Sequence, residues 1–159
     1  MAQVSFPRDV AGMFGLGRFP WAPGTAASLV AVLAGAGLLQ VSPWLLAAAA
    51  VAATLIGVWA IAAAGVGGDD PTWVVIDEVA GQFLTLLALP RPTLLGVTAA
   101  FLLFRVLDIA KPGPIGWADR RSGAIAVMGD DVLAGVIGAL LLLGVRWVWP
   151  AVLGLPAAR

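Results

Sequence analysis

The sequence contains no cysteine and no histidine. Without thiols there are no disulfides, no thiolate nucleophile and no sulfur ligand for a metal. Without imidazole there is no phosphohistidine chemistry, and the usual zinc sites are excluded. Any metal held here must be a hard cation bound through oxygen. Charge is also scarce: Asp, Glu, Lys and Arg make up 11% of the 159 residues, where about 25% is typical. Formal net charge is zero, so nothing suggests a nucleic-acid partner. The first ten residues, MAQVSFPRDV, have no apolar core and do not read as a cleaved signal peptide.

Apolar residues fill the space that charge leaves. They form 61% of the chain, against about 45–50% in soluble domains. The expectation is a single all-α membrane domain over residues 1–159. A spanning helix needs about 20 apolar residues, and five segments qualify or nearly do: 25–41, 44–64, 72–89, the shorter 93–108, and one from Asp131 to about Trp149. A polytopic bundle of about five spans follows, or four if the first segment is re-entrant. Pro43 and Pro90 mark tight turns. Trp21, Trp44, Trp73, Trp117, Trp147 and Trp149 fall near predicted helix ends, as interfacial aromatics do, whereas Trp59 lies inside the second segment.

Threading five spans puts the N-terminal segment and the 65–71 and 109–130 loops on one side. Every acidic residue then lies on or near that side, including Asp9, Asp69, Asp70, Asp77, Glu78, Asp108, Asp119, Asp130 and Asp131. Arg8, Arg18, Arg105, Lys111, Arg120 and Arg121 lean the same way, against Arg91, Arg146 and Arg159 on the other. The positive-inside rule makes the charged side cytoplasmic.

Asp77 and Glu78 stand side by side in the apolar run WVVIDEVAGQFLTLLALP. At about 1.5 Å per residue they sit about 7–8 Å below the predicted helix start, near headgroup depth. A charge at the bilayer centre would cost about 2.5–3.5 kcal/mol, and intramembrane carboxylates are functional by default. Arg105 and Asp108 lie one turn apart near the end of the fourth segment, followed by Lys111, Asp119 and then Asp130-Asp131. Six carboxylates at one boundary would repel one another, and a bound Mg²⁺ would neutralise them. Each feature also has a plain structural reading. Asp130 or Asp131 caps a helix, Arg105 and Asp108 form an i,i+3 pair, Arg120 and Arg121 report topology, and Asp119 is a solvated loop residue. Asp69-Asp70-Pro71 reads as a turn outside the site. Gly81 permits close helix packing. Gly15 and Gly17 form a GxG with no preceding strand, which argues against a nucleotide fingerprint. Pro23-Gly24-Thr25 opens a helix, either with Thr25 as its cap or as a phosphate-binding helix start.

Taken in order, PGTAAS, DEVAGQF, FRVLDIAKPGPIGWAD and GDDVLAG resemble the phosphatidylglycerophosphatase A family across about residues 12–138. Ala27-Ser28 stands where the family typically has Gly-Ser. The resemblance implies a Mg²⁺-dependent membrane phosphatase that converts phosphatidylglycerophosphate to phosphatidylglycerol at the cytoplasmic face of a bacterial inner membrane. It matches the family's polar positions at Asp77, Glu78, Arg105, Asp108, Lys111, Asp119, Asp130 and Asp131. On this reading Asp77, Glu78, Asp108 and Asp131 are catalytic. Arg105, Lys111, Thr25 and Arg120 bind substrate, and the six carboxylates are metal ligands. Related soluble proteins act on other phosphomonoesters, which leaves that alternative open. A cation or proton transporter is the other alternative, but its carboxylates belong near the midplane on broken helices. The pattern of a lipid phosphotransferase using a CDP-activated lipid is not found, and a purely structural subunit needs no such cluster.

Overall fold

The computed structural model describes residues 6–66 and 71–156. Asp69, Asp70 and Arg159, which entered the topology reading, lie outside the described residues. Among the described residues every regular element is helical, and seven α-helices follow in order: α1 (Phe6–Ala11), α2 (Pro23–Val41), α3 (Pro43–Ala63), α4 (Ile76–Leu86), α5 (Leu94–Ala110), α6 (Pro114–Asp119) and α7 (Ala124–Val148). Two 3₁₀ segments, Met13–Arg18 and Pro150–Leu153, flank the bundle.

Among the described residues three helices are long and apolar enough to cross a membrane: α2, α3 and α7. The expected count of about five spans is not confirmed. The difference lies mainly in α4. It has 11 residues, about 16 Å, where the sequence suggested 72–89. Its neighbours α2, α3, α5 and α7 enclose it. Ile76, Asp77, Val79, Ala80, Gly81, Gln82, Phe83, Thr85 and Leu86 are all buried. A helix apolar all round is either a span or a core helix, and here it is the core. Before it, the Val75 amide bonds to the Ala11 carbonyl at 3.0 Å, so the chain there ties down the N-terminal segment instead of adding a helical turn. After it, Leu87, Ala88 and Leu89 donate to carbonyls three residues back, winding the end tighter.

Glycine sets how closely α4 and α7 approach. A Cβ on Gly135 would lie 2.4 Å from the Gly81 carbonyl oxygen, and one on Gly81 would lie 2.4 Å from the Phe104 ring. Thr85 crosses the contact, its hydroxyl donating to Gly81 at 3.0 Å or Gly135 at 3.3 Å. In lipid, helices associate through packing of this kind, since the surrounding tails are as apolar as the side chains. The structural reading of Gly81 is therefore the one observed.

The helix starts also move. α7 begins at Ala124, seven residues before the expected Asp131, after Gly123 at φ 100°. Asp130 and Asp131 thus sit two turns inside the helix, both buried, and cap nothing. The unbroken apolar run from Ala124 to Met128 propagates the helix past the point where the carboxylates suggested a start. α2 begins at Pro23, with Ala22 preceding it and no side-chain cap, so Thr25 lies in its first turn. Trp59, the aromatic that fitted no boundary, packs against Phe6 of α1 with ring centroids 6.3 Å apart.

Candidate active site

The start of α4, the end of α5, the start of α2 and the third turn of α7 converge at one end of the bundle. Asp77 and Glu78 occupy the first turn of α4, where the helix dipole favours negative charge. Asp131 approaches from α7. One carboxylate oxygen from each of Asp77, Glu78 and Asp131 lies within 4.8 Å of the others. Asp77 and Asp131 are each 3% exposed. Three carboxylates this close, two of them buried and Glu78 partly buried, repel one another strongly unless a cation joins them. The donor set is all oxygen, as Mg²⁺ or Mn²⁺ requires. Glu78 Oε2 is buried and has no hydrogen-bond partner among the described residues, leaving a free ligand atom. The residues present therefore fit a hard divalent cation.

The other carboxylates have cations of their own. Arg105 pairs with Asp108, one turn further along α5, at 2.5 Å. The same guanidinium nitrogen lies 3.9 Å from Glu78 Oε1 and 3.4 Å from the Ser28 hydroxyl. Asp130 binds Lys111 at 2.7 Å, and Asp119 pairs with the same ammonium. The six expected metal ligands thus divide into a compact triad, an Arg105–Asp108 pair and a Lys111 bridge. Asp119 is neither loop nor triad: it is the last residue of α6, bridged to the bundle by Lys111.

Lys111 reaches that position through local strain. It ends α5 in the left-handed region at φ 46°, a conformation usually left to glycine. Pro112-Gly113-Pro114 then starts α6 with proline in its first turn. Burial pulls the Lys111 ammonium towards lower pKa, but hydrogen bonds to Asp119 and Asp130 outweigh it and hold the group above its ordinary value.

Beside the triad lies an open cavity of about 320 Å³, lined among others by Gly24, Thr25, Glu78, Arg105, Asp108 and Lys111. Of the triad, Glu78 is the member that faces it. The uncapped start of α2 presents backbone N–H groups there, a ready anion site. Gly24 leaves room for the Glu78 carboxylate: a Cβ there would fall 2.0 Å from Glu78 Oε1 and push that side chain aside. Thr25, Arg105 and Lys111 are therefore brought together. Arg120 is not: it follows α6, exposed, and does not line the cavity. Its neighbour Arg121 stacks on Trp117 at 4.1 Å.

Sequence reasoning gave Gln82 no role, and named Gly24 and Ser28 only within the PGTAAS helix start. Gln82 is fully buried, and neither of its amide atoms has a partner among the described residues. Its signal was available, since it lies one helical turn after Glu78 on the same face. Gly17 serves packing, since a Cβ there would fall 1.9 Å from the Trp73 carbonyl oxygen, whereas Gly15 turns the backbone at φ 116°.

The model of the family "PgpA: Phosphatidylglycerophosphatase A" matches residues 10–146. A Bacteroides thetaiotaomicron protein named "Putative phosphatidylinositol-3-phosphatase" is 41% identical over 85% of this chain and 90% of its own. Phosphatidylglycerophosphatase A of Escherichia coli is 40% identical over 86% of this chain and 81% of its own. The Haemophilus influenzae protein of the same name is 34% identical, covering 84% and 85%. No solved structure gives a significant match. The chain belongs to the phosphatidylglycerophosphatase A family and is a phosphatase acting on a phosphomonoester.

Proposed function

We propose that the chain hydrolyses phosphatidylglycerophosphate to phosphatidylglycerol and inorganic phosphate, as a step in phospholipid synthesis. The observation that carries this reading is the adjacency of a buried carboxylate triad and a cation-lined cavity at one end of an apolar bundle. A lipid-tethered phosphate arrives at that depth. Arg105, Lys111 and the start of α2 would hold its oxygens. Phosphoryl transfer depends on positioning and charge neutralisation more than on covalent chemistry. Water attacks phosphorus, the bond to the glycerol oxygen breaks, and that oxygen takes a proton from solvent at the open cavity and leaves as a hydroxyl. Glu78 faces the cavity and takes the proton of the attacking water. Asp77 and Asp131 would, with Glu78, hold Mg²⁺, which supplies charge neutralisation and a more acidic bound water. Asp108 keeps Arg105 aimed at the cavity, and Asp119 and Asp130 do the same for Lys111. The six-ligand set narrows on this reading to three, and Arg120 keeps only its topological role.

The proposed setting is a bacterial inner membrane, with the site facing the cytoplasm, and the whole chain acting as one domain. The charge asymmetry of the sequence supports that orientation. The Bacteroides relative favours a second reading, in which the lipid is a phosphorylated inositol lipid. Phosphate release by purified protein from phosphatidylglycerophosphate, phosphatidylinositol 3-phosphate and glycerol 3-phosphate separates the readings. Preference for the first lipid is expected. Preference for the inositol lipid would move the substrate, and activity only on the soluble ester would remove the lipid from the account.

A further inference from the structure

Four buried polar side-chain atoms lack partners among the described residues: Glu78 Oε2, Arg105 Nε, and Oε1 and Nε2 of Gln82. They complement one another. Glu78 Oε2 accepts and Gln82 Nε2 donates; Arg105 Nε donates and Gln82 Oε1 accepts. They are also neighbours in the fold. Gln82 lies one turn below Glu78 on α4, a spacing that brings Cβ atoms to about 5–6 Å. Phe104 of α5 packs against the Gly81 position, so α5 lies against this stretch of α4. Arg105 already reaches Glu78 through its terminal nitrogen at 3.9 Å.

A buried amide with no bond is destabilising, and apolar replacements of the same shape are easily found. Gln82 has 0% exposure in the middle of a core helix, where Leu or Met would pack without that cost. We propose that Gln82 is a positioning residue: its amide, through an intervening water, joins the free oxygen of Glu78 to the free Nε of Arg105. The network fixes the plane of the Glu78 carboxylate that faces the cavity and the direction of the Arg105 guanidinium beside it. This role rests on the phosphatase reading of the site, whereas the network itself does not.

Two measurements on purified, detergent-solubilised full-length protein test the proposal: phosphate release from phosphatidylglycerophosphate, and a double-mutant cycle of Gln82→Met with Glu78→Gln read as melting temperature. Gln82→Met should fold. Its turnover should fall by about tenfold to a hundredfold, the scale of a slightly misplaced reacting group. In the Glu78→Gln background the same change should cost almost nothing further, and the melting shifts of the two single variants should not add. Near-normal turnover in Gln82→Met, or additive melting shifts, would overturn the proposal. Should Gln82→Met not fold, Gln82→Glu decides. It keeps an acceptor for Arg105 but sets a carboxylate against Glu78, so a folded protein with lost turnover is expected and normal turnover overturns the idea. Failure of both variants to fold would make the amide a structural element and overturn it too. Wild-type protein that releases no phosphate from any lipid would end the phosphatase reading, while the melting cycle would still decide the network.

Discussion

Asp77, Glu78 and Asp131 carry the account at the scale of single residues. Their carboxylates crowd together, Asp77 and Asp131 buried and Glu78 at the cavity wall, an arrangement that costs stability unless a cation joins them. Asp77→Asn keeps the shape and removes one charge. Turnover should fall at least about a hundredfold, as when a transition-state electrostatic contact is lost. The detergent-solubilised variant should melt at the wild-type temperature or above in metal-free buffer. Glu78→Gln should behave alike. Loss of folding in both variants, or near-normal turnover in both, would make the pair structural. These residues were legible in the sequence because a carboxylate in an apolar run stands out. Gln82, and the contact of Gly24 with Glu78, were not. A neutral amide resembles any surface polar residue until its burial is known, and the role of Gly24 is set by Glu78, 54 positions away in the numbering.

Packing between α4 and α7 decides whether those residues meet. The contact has room for hydrogen and no more at Gly135, where a Cβ would lie 2.4 Å from a backbone oxygen. Backbone does not swing aside as a side chain does. Gly135→Ala should therefore force the helices apart and destabilise the protein by about 1–3 kcal/mol, and turnover should fall with it because Asp131 lies one turn away on the same helix. A melting temperature unchanged by Gly135→Ala would show that the contact is looser than described. Helix identity was readable from composition and length for α2 and α3, whose observed ends fall within two residues of those expected. α4 was misjudged because hydropathy cannot distinguish lipid from a surrounding ring of helices. The start of α7 was misjudged because a carboxylate pair after glycine imitates a helix cap. At Lys111 the pattern was readable but its geometry was not: prolines announce the end of α5, whereas the left-handed turn that sends the ammonium to Asp119 and Asp130 needs the fold.

Across the whole molecule, α2, α3 and α7 are the helices that meet the length and apolarity of a span. Site residues gather where α2 and α7 begin and α5 ends, so α7 leaves the site end and carries the chain's last described residues to the other. Reporters fused at the two termini should therefore report opposite sides of the membrane, with the N-terminus in the cytoplasm. Termini on the same side would contradict that threading while leaving the carboxylate geometry intact. The family and the reaction class were legible from four motifs. The division of six carboxylates into a triad, a pair and a bridge was not, because spacing along a chain cannot say which acid faces which base.

The central claim is that the Asp77–Glu78–Asp131 triad works as a divalent-cation centre for phosphate release. Its most direct test is the rate of phosphate release from phosphatidylglycerophosphate in mixed micelles, by chelator-stripped protein, across a titration of Mg²⁺. Turnover should be absent in the stripped enzyme, return saturably with Mg²⁺ or Mn²⁺ but not with Zn²⁺, and fail to return in Asp77→Asn. Full turnover in the stripped enzyme would contradict the account and leave Arg105 and Lys111 to stabilise the reaction alone.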